Sequence, residues 1–232
     1  GEPAVSYYIE DEDTKILFDT GYSDVFIKNA KSMNIELDNI DKIVISHGHN
    51  DHTGGLEYLS KNINNKNIEI IAHPNCFDKK YCRGGYIGTP ILKEELEKEY
   101  KLNIKDKPLE ISKNIVYLGE IPNMNDFENR YTVGMCESIN GMVDDYVKDD
   151  SAIVYKSEKG LFIITGCSHS GICNIIEYAK KVCNEDKIYG VIGGFHLTNK
   201  LDRAKLVIEK LQELGVTIKP YTGYEYYYGD NF

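Results

Sequence analysis

The chain has 232 residues and sets 27 Lys and Arg against 37 Asp and Glu, a net charge of −10. With 41% apolar and 28% charged residues it reads as an ordinary globular protein, and no apolar run approaches the roughly 18 residues of a membrane span, which excludes disordered, fibrous and transmembrane classes. The acidic balance argues against a nucleic-acid partner: Lys79, Lys80 and Arg83 are the densest basic spot and read as a solvated loop.

The N-terminal stretch GEPAVSYYIEDED has neither a basic nor an apolar signal segment, so no secretory leader is visible and a cytoplasmic location is expected. It lacks an initiating Met, so native residues are expected before Gly1. Lys15 to Phe18 predicts a short apolar strand closed by Asp19-Thr20-Gly21. Asp24 to Met33 predicts a helix, Ile43 to Ile45 a buried strand, Leu56 to Lys61 a short helix and Ile68 to Ala72 another strand. Between 75 and 113 only Glu94 to Tyr100 reads as helix, and the rest as loop. Ile115 to Leu118 predicts a strand, and Gly119 to Val147 a long loop near the site. Ser151 to Tyr155 and Leu161 to Thr165 predict paired strands joined by a turn. Apolar residues at helical spacing follow from Ile172 to Cys183 and from Leu201 to Leu214, the second ending at Gly215 as a C-cap, with a strand at Ile188 to Ile192 between them. No linker or repeat divides this α/β alternation, so residues 1–232 are read as one domain. The six Cys form no C-x-x-C pair and are expected as free thiols in a reducing compartment. The tail Tyr224 to Tyr228 is expected to cover a surface or line a cleft.

The chemistry concentrates after Ile43-Val44-Ile45, in Ser46-His47-Gly48-His49-Asn50-Asp51-His52-Thr53-Gly54-Gly55. Three of the six His and an Asp fall within six residues at the end of a buried strand. Neutral imidazole and carboxylate are ligands for zinc, iron and manganese. In an extended stretch His47 and His49 point the same way and can grip one ion, while Asp51 and His52 reach a second. Gly54 and Gly55 are expected to allow a sharp turn into the next helix. Two later strands also run into a His: Gly166-Cys167-Ser168-His169 and Gly193-Gly194-Phe195-His196. Strand carboxyl ends are where ligand-bearing loops gather in α/β folds.

The segment HGHNDHTGG resembles the signature of the metallo-β-lactamase superfamily. The resemblance implies an αββα four-layer sandwich with a metal pair at the sheet edges, here lacking its first strand. GCSHSGI and GGFHL, with Leu118-Gly119-Glu120-Ile121-Pro122 and Asp126-Phe127-Glu128, are similar to a narrower 7,8-dihydropterin-6-methyl-4-(β-D-ribofuranosyl)aminobenzene-5′-phosphate synthase-like group, from Lys15 to about Tyr221. Three features depart from the pattern. The His usual before the penultimate strand is absent from Val147 to Ile153, leaving an Asp such as Asp150 to act there or the position unused. The acidic bridging position is Cys167, which reads either as a ligand or as a small buried thiol. Pro220-Tyr221-Thr222-Gly223-Tyr224 replaces a further His/Cys-bearing segment.

The resemblance implies a metal-dependent hydrolase or related transferase, with a metal-bound hydroxide as nucleophile and a small phosphate- or pterin-containing metabolite as substrate. Two divalent transition-metal ions are expected, zinc first, with iron or manganese as alternatives. His47, His49 and His169 would hold one; Asp51, His52 and His196 the other; Asp150 would lie near both, and Asp51 would steer the nucleophile or collect its proton. Asp19 is expected to hold the His loop by hydrogen bonds, His73 to orient ligands or face substrate, and Arg130 to contact an anion or lie on the surface. The partner is a small molecule, with no nucleic acid and no membrane; oligomeric state is not legible. The alternatives are a non-catalytic, metal-stiffened small-molecule binding protein and a di-iron redox module.

Overall fold

The computed structural model describes residues 1–139, 141–197 and 201–216. Its strands are, in chain order, β1 (Tyr7–Asp11), β2 (Thr14–Phe18), β3 (Lys42–Val44), β4 (Glu69–Ala72), β5 (Lys80–Cys82), β6 (Gly85–Tyr86), β7 (Lys101–Ile104), β8 (Leu109–Glu110), β9 (Ile115–Tyr117), β10 (Gly134–Ser138), β11 (Gly141–Asp145), β12 (Ala152–Ser157), β13 (Gly160–Thr165) and β14 (Ile188–Ile192). The helices are α1 (Val25–Ser32), α2 (Asn50–Thr53), α3 (Leu59–Asn62), α4 (Lys93–Leu96), α5 (Ile172–Cys183) and α6 (Leu201–Glu213).

Among the described residues one five-stranded sheet runs β1-β2-β3-β4-β7 and a second runs β14-β13-β12-β9-β8. The strands from β2 to β7 in the first are parallel to their neighbours, and so is β14 to β13, so these strands end at a common edge. Alternation along each strand sorts side chains into layers. Ile16, Phe18, Val44 and Ile71 point from the first sheet onto Tyr117, Ile153 and Ile164 of the second, forming the central core. Leu17, Ile43 and Ile70 point the other way, onto Phe26 and Ala30 of α1 and Leu56 and Leu59 of the segment after the His loop. Val154, Leu161 and Ile163 likewise face Ile172, Ile175, Ile176 and Ala179 of α5 and Val207 and Leu211 of α6. Three cores between four layers is the expected αββα sandwich, and each fully buried Leu, Ile or Phe in it contributes about 1.5–3 kcal/mol.

A third, four-stranded sheet, β11-β10-β5-β6, breaks the reading of 75–113 and 119–147 as loop. Its hairpin β10–β11 is exposed or half-buried at all but Asp145, so it carries no apolar period to read. The helix expected from Glu94 to Tyr100 ends at Leu96, because Lys101 onward pairs with β4 from Glu69↔Lys101 to Ala72↔Ile104. Leu56 to Lys61 is a 3₁₀ turn, Gly54–Tyr58, followed by α3. β1 was not expected; it pairs antiparallel with β2 at the edge of the first sheet. No described helix is long and apolar enough to cross a membrane. The Tyr224 to Tyr228 tail and the Pro220 to Tyr224 segment lie outside the described residues.

Candidate metal centre

The carboxyl ends of β2, β3, β13 and β14 meet at one edge of the sandwich, and each delivers site residues there. β3 runs through Ile45 into Ser46, whose backbone N–H donates to Asp19 Oδ1 at 2.7 Å and whose hydroxyl donates to Asp19 Oδ2 at 2.7 Å. Asp19 Oδ2 also accepts from His52 Nδ1 at 2.6 Å, so a fully buried carboxylate after β2 fixes both ends of the His loop. That Nδ1–H bond leaves His52 Nε2 facing the site, toward Cys167 Sγ at 3.1 Å and Asp51 Oδ2 at 3.3 Å. His47 Nδ1 lies 3.0 Å from the Ser46 hydroxyl and its Nε2 lies 3.0 Å from His49 Nδ1.

Small residues let the chain fold this tightly. A Cβ on Gly48, between the two imidazoles, would lie 1.9 Å from the Cys76 carbonyl oxygen, and one on Gly54 would lie 2.2 Å from that of Tyr22. Close backbone approach, rather than a sharp turn, therefore demands the glycine at 54.

From the other sheet, His169 brings its ring to 4.8 Å from that of His47 and 5.0 Å from that of His49. His196 stacks on His169 at 4.3 Å, and its Nδ1 is hydrogen-bonded to the Tyr131 hydroxyl. Asp19, Ser168 and His196 all hold left-handed backbone, with φ of 58°, 57° and 43°. Each such residue costs on the order of 1–3 kcal/mol, and all three sit in or beside the site.

Among the described residues, three sets of donor atoms come within 4.8 Å of one another: His47, His49 and Asp51; His47, Cys167 and His169; and Asp51, His52 and Cys167. His49 Nε2 and both ring nitrogens of His169 are buried with no hydrogen-bond partner. Burial, then the neighbouring imidazoles, holds His47 and His169 well below the ordinary histidine pKa. Burial also lowers His49, to about 4 against the opposing charge of Asp149. At neutral pH these rings are uncharged and present lone pairs, the form that binds a metal. At His52 burial also opposes charge, but Cys167, Asp19 and Asp51 outweigh it and the pKa lies well above the usual value. Positive charge is thus favoured where Nε2 meets Cys167 and Asp51. The donor set fits a divalent transition metal.

These directions predict an acid sensitivity. In the unfolded chain these histidines take a proton near pH 6.5, whereas native His49 resists to about 4. Between those values the unfolded state binds more protons, so stability falls as pH falls. His52, raised in the native state, works the other way where its unfolded form is still taking up its proton near pH 6.5, and the lowered imidazoles of His47, His49 and His169 outnumber it. The urea midpoint of chelated protein is expected to drop from pH 7 to pH 5; an unchanged midpoint contradicts it.

A family model described as the metallo-beta-lactamase superfamily matches residues 1–75. The crystal structure of Tm1679, described as a metal-dependent hydrolase of the beta-lactamase superfamily, is similar with a TM-score of 0.76 and 32% identity, over 90% of this chain and 79% of that one. This chain belongs to the metallo-β-lactamase superfamily. Two Methanocaldococcus jannaschii proteins resemble it over most of their length. One, the 7,8-dihydropterin-6-methyl-4-(β-D-ribofuranosyl)-aminobenzene-5′-phosphate synthase, is 38% identical over 91% of this chain and 77% of its own. The other, uncharacterized protein MJ0448, is 38% identical over 85% of this chain and 73% of its own.

Within this metallo-β-lactamase site, several residues stand differently from the sequence reading. Asp51 and His52 group with Cys167 rather than with His196, and neither His196 nor Asp150 enters any of the three donor sets. Asp150 instead accepts from the Ser170 N–H at 2.9 Å and hydroxyl at 2.7 Å, securing the turn that carries His169. His73 accepts from the Asn75 N–H at 3.1 Å and caps the 3₁₀ turn Pro74–Phe77. The Arg130 guanidinium donates to the carbonyls of Ile121, Tyr146 and Val147.

Sequence reasoning missed Lys80 and Asp149. Lys80 is 1% exposed and pairs with Asp149 at 2.7 Å and Asp145 at 3.4 Å. Asp149 Oδ2 accepts the Gly48 N–H at 2.6 Å, so this buried pair ties β5 to the backbone between His47 and His49. The Asp126-Phe127-Glu128 segment also gains a role: Glu128 Oε2 accepts the N–H groups of Cys173 and Asn174 at 2.7 and 3.0 Å, at the N-terminus of α5.

Proposed function

We propose that this chain is a metal-dependent enzyme acting on a small phosphate- or pterin-containing metabolite, by hydrolysis or by group transfer. One observation carries the reading: from two sheets, buried uncharged imidazoles with no hydrogen-bond partner for His49 Nε2 or for either nitrogen of His169 converge beside Asp51 and Cys167. Buried polar atoms are rarely left unpaired, and a cation is the partner this donor set suits. The name of the 38% identical synthase, joining a pterin to a ribofuranosyl-aminobenzene phosphate, supports the substrate class and keeps transfer beside hydrolysis.

A pair of divalent ions, zinc foremost, supplies positive charge for a phosphate and activates water at neutral pH when bound. His47, His49 and His169 hold the buried side of the site; Asp51 and His52, with Cys167, hold the other. Asp51, with a side chain 34% exposed, is the carboxylate of this group that opens toward solvent. Burial raises its pKa, but His52 and His49 outweigh that and lower it, so at neutral pH an Asp51 oxygen is ionised and able to take a proton from an attacking nucleophile. Asp19 keeps His52 in the tautomer that points Nε2 inward to the site. A cytoplasmic setting goes with this reading, since all six cysteines are free.

The test is elemental analysis of natively expressed protein, followed by a panel of phosphomonoesters, phosphodiesters, thioesters and lactones and a dihydropterin offered with an aminobenzene ribofuranosyl phosphate. At least one transition metal per chain and turnover of a phosphate- or pterin-bearing compound are expected. Protein that holds no metal and takes none up sinks the proposal. Thermal stabilisation by a pterin without turnover of any compound replaces it with a binding protein.

A further inference from the structure

His73 and Glu120 reach the ligand-bearing edge of the sandwich without entering any of the three donor sets. β4 lies beside β3 and parallel to it, so His73 follows β4 at that edge, one strand along from His47. β9 runs in the same sense as β13, because both are antiparallel to β12. Its carboxyl end therefore reaches the same edge, and Leu118, Gly119 and Glu120 follow it there. The His73 ring is 3% exposed, and its Nε2 has no hydrogen-bond partner among the described residues. Its Nδ1 accepts the Asn75 N–H at 3.1 Å, which puts the proton of the neutral ring on Nε2. Burial lowers the His73 pKa against the pull of Asp149, Glu120 and Asp106, so the ring is uncharged at neutral pH. The result is a buried N–H donor with no acceptor, and such groups are rare. Glu120 Oε2 lies 3.8 Å away, too far to be that acceptor.

Both groups are held from behind. The Cys76 N–H donates to the His73 carbonyl at 3.0 Å, and the Cys76 carbonyl in turn presses on Gly48 of the His loop. The Glu120 N–H donates to the Asp106 carbonyl at 3.0 Å. Gly119 has a φ of 70°, and a Cβ there would lie 2.6 Å from the Asp106 carbonyl carbon, so the end of β9 is pinned against the segment after β7. The Arg130 guanidinium holds the next carbonyl, that of Ile121, at 2.9 Å. With its backbone fixed in this way, Glu120 keeps a side chain 46% exposed and is the member of the pair open to solvent.

We propose that His73 Nε2 and the Glu120 carboxylate form a subsite for a heteroaromatic lactam, a flat ring carrying C=O beside N–H, as a pterin does. An N–H donor beside a carboxylate is the complement of that edge. The imidazole donates to the ring carbonyl, and the carboxylate accepts the ring N–H and the amino group next to it. Glu120 repels a phosphate or a second carboxylate, so the charged end of a substrate is left for the metal centre. The inference rests on the pterin-bearing substrate class proposed above and adds where that ring binds.

The test is equilibrium binding of pterin, followed by its own fluorescence, to the chain as isolated and after chelation. Saturable binding to both is expected, because neither group belongs to a donor set. 3-Methylpterin, whose ring N–H is replaced by N–CH3, is expected to bind at least about tenfold more weakly. Glu120→Gln keeps the shape but not the charge, and it is expected to cost about tenfold on pterin and to erase most of that preference. His73→Asn keeps a side-chain cap for the turn but lacks Nε2, and it is expected to weaken both rings about tenfold. Thermal midpoints and metal content are expected to stay at wild-type values in Glu120→Gln, whose side chain is half-exposed. Guanosine has the same lactam edge; binding with the same losses keeps the subsite and widens its ligand to purines. Pterin binding that survives both substitutions, or that is matched by 3-methylpterin, overturns the subsite and leaves the metal centre standing. Binding that is lost on chelation overturns it too, by placing the ring on the metal, and so does a wild-type chain that binds neither lactam. Lactam binding with these losses in a chain that takes up no metal keeps the subsite and sinks the metal-dependent reading instead.

Discussion

Asp51→Ala is expected to lower kcat/KM by about 10²–10⁴-fold on any substrate the enzyme turns over, the range associated with losing a positioned proton acceptor. Asp51 is half-buried, with its side chain 34% exposed, and its ion-pair contact is with His52 at 3.3 Å. Its removal leaves the cores intact, so the fold should survive, and the metal-free protein should unfold within about 1 kcal/mol of wild type. Because Asp51 belongs to two donor sets, the variant should also bind metal more weakly. The assay is therefore run at saturating metal, where the remaining deficit belongs to proton transfer. Asp51→Asn separates the roles further, since it keeps the size and one oxygen donor but cannot take up the proton. Activity within threefold of wild type in both variants would remove Asp51 from the chemistry.

Lys80→Met is expected to destabilise the chain by about 3–5 kcal/mol, the usual result of leaving a buried charge without its partner. Asp149 is fully buried and Asp145 nearly so, and Lys80 reaches both. Burial alone would raise the Asp149 pKa; Lys80 is the main influence that brings it below the ordinary carboxylate value. Without that ammonium the carboxylate either stays charged at high cost or takes a proton and weakens its grip on the Gly48 N–H. The loop between His47 and His49 then loosens, and metal affinity should fall about 10–100-fold, as for other groups that orient ligands from behind. Urea unfolding of chelated protein measures the first effect, and competition with a chromophoric chelator the second. Adding Asp149→Asn to Lys80→Met should restore part of the stability by removing one stranded charge. A loss below about 1 kcal/mol in the single variant would show that the pair is not the anchor described.

The layered architecture was legible because it depends on local alternation. Ile16, Leu17 and Phe18 alternate between two cores, as a strand buried on both faces must. The clustering of His47, His49 and His52 was legible for a similar reason: six residues at the end of a short buried strand cannot carry their side chains far apart. That His169 and His196 would lie near them was expected from the family resemblance together with their places at strand ends; His169 joins a donor set, whereas His196 stacks on His169 and enters none of the three. What was not legible depends on distant partners. Asp149 and Asp150 are adjacent and chemically identical; only the fold decides that one meets Gly48 and the other Ser170. Lys80 looks like any surface lysine until Asp149, 69 residues later, is placed beside it. The helix-favouring run near Glu94 ends early because β4 offers Lys101 to Ile104 a ladder of backbone partners, and tertiary pairing overrides propensity.

The imidazole contacts also bear on mechanics. The two large sheets meet through Ile, Val, Phe and Tyr side chains, and an oily interface of that kind has no preferred lateral offset beyond its packing. At the edge, however, His47 of one sheet touches His169 of the other, and Ser151 N–H donates to the Ser46 carbonyl at 2.9 Å. These directional links act as a dowel. They fix how far one sheet can slide over the other at the very point where ångström-scale alignment of the donor atoms matters, so this edge should be the stiffest seam in the sandwich.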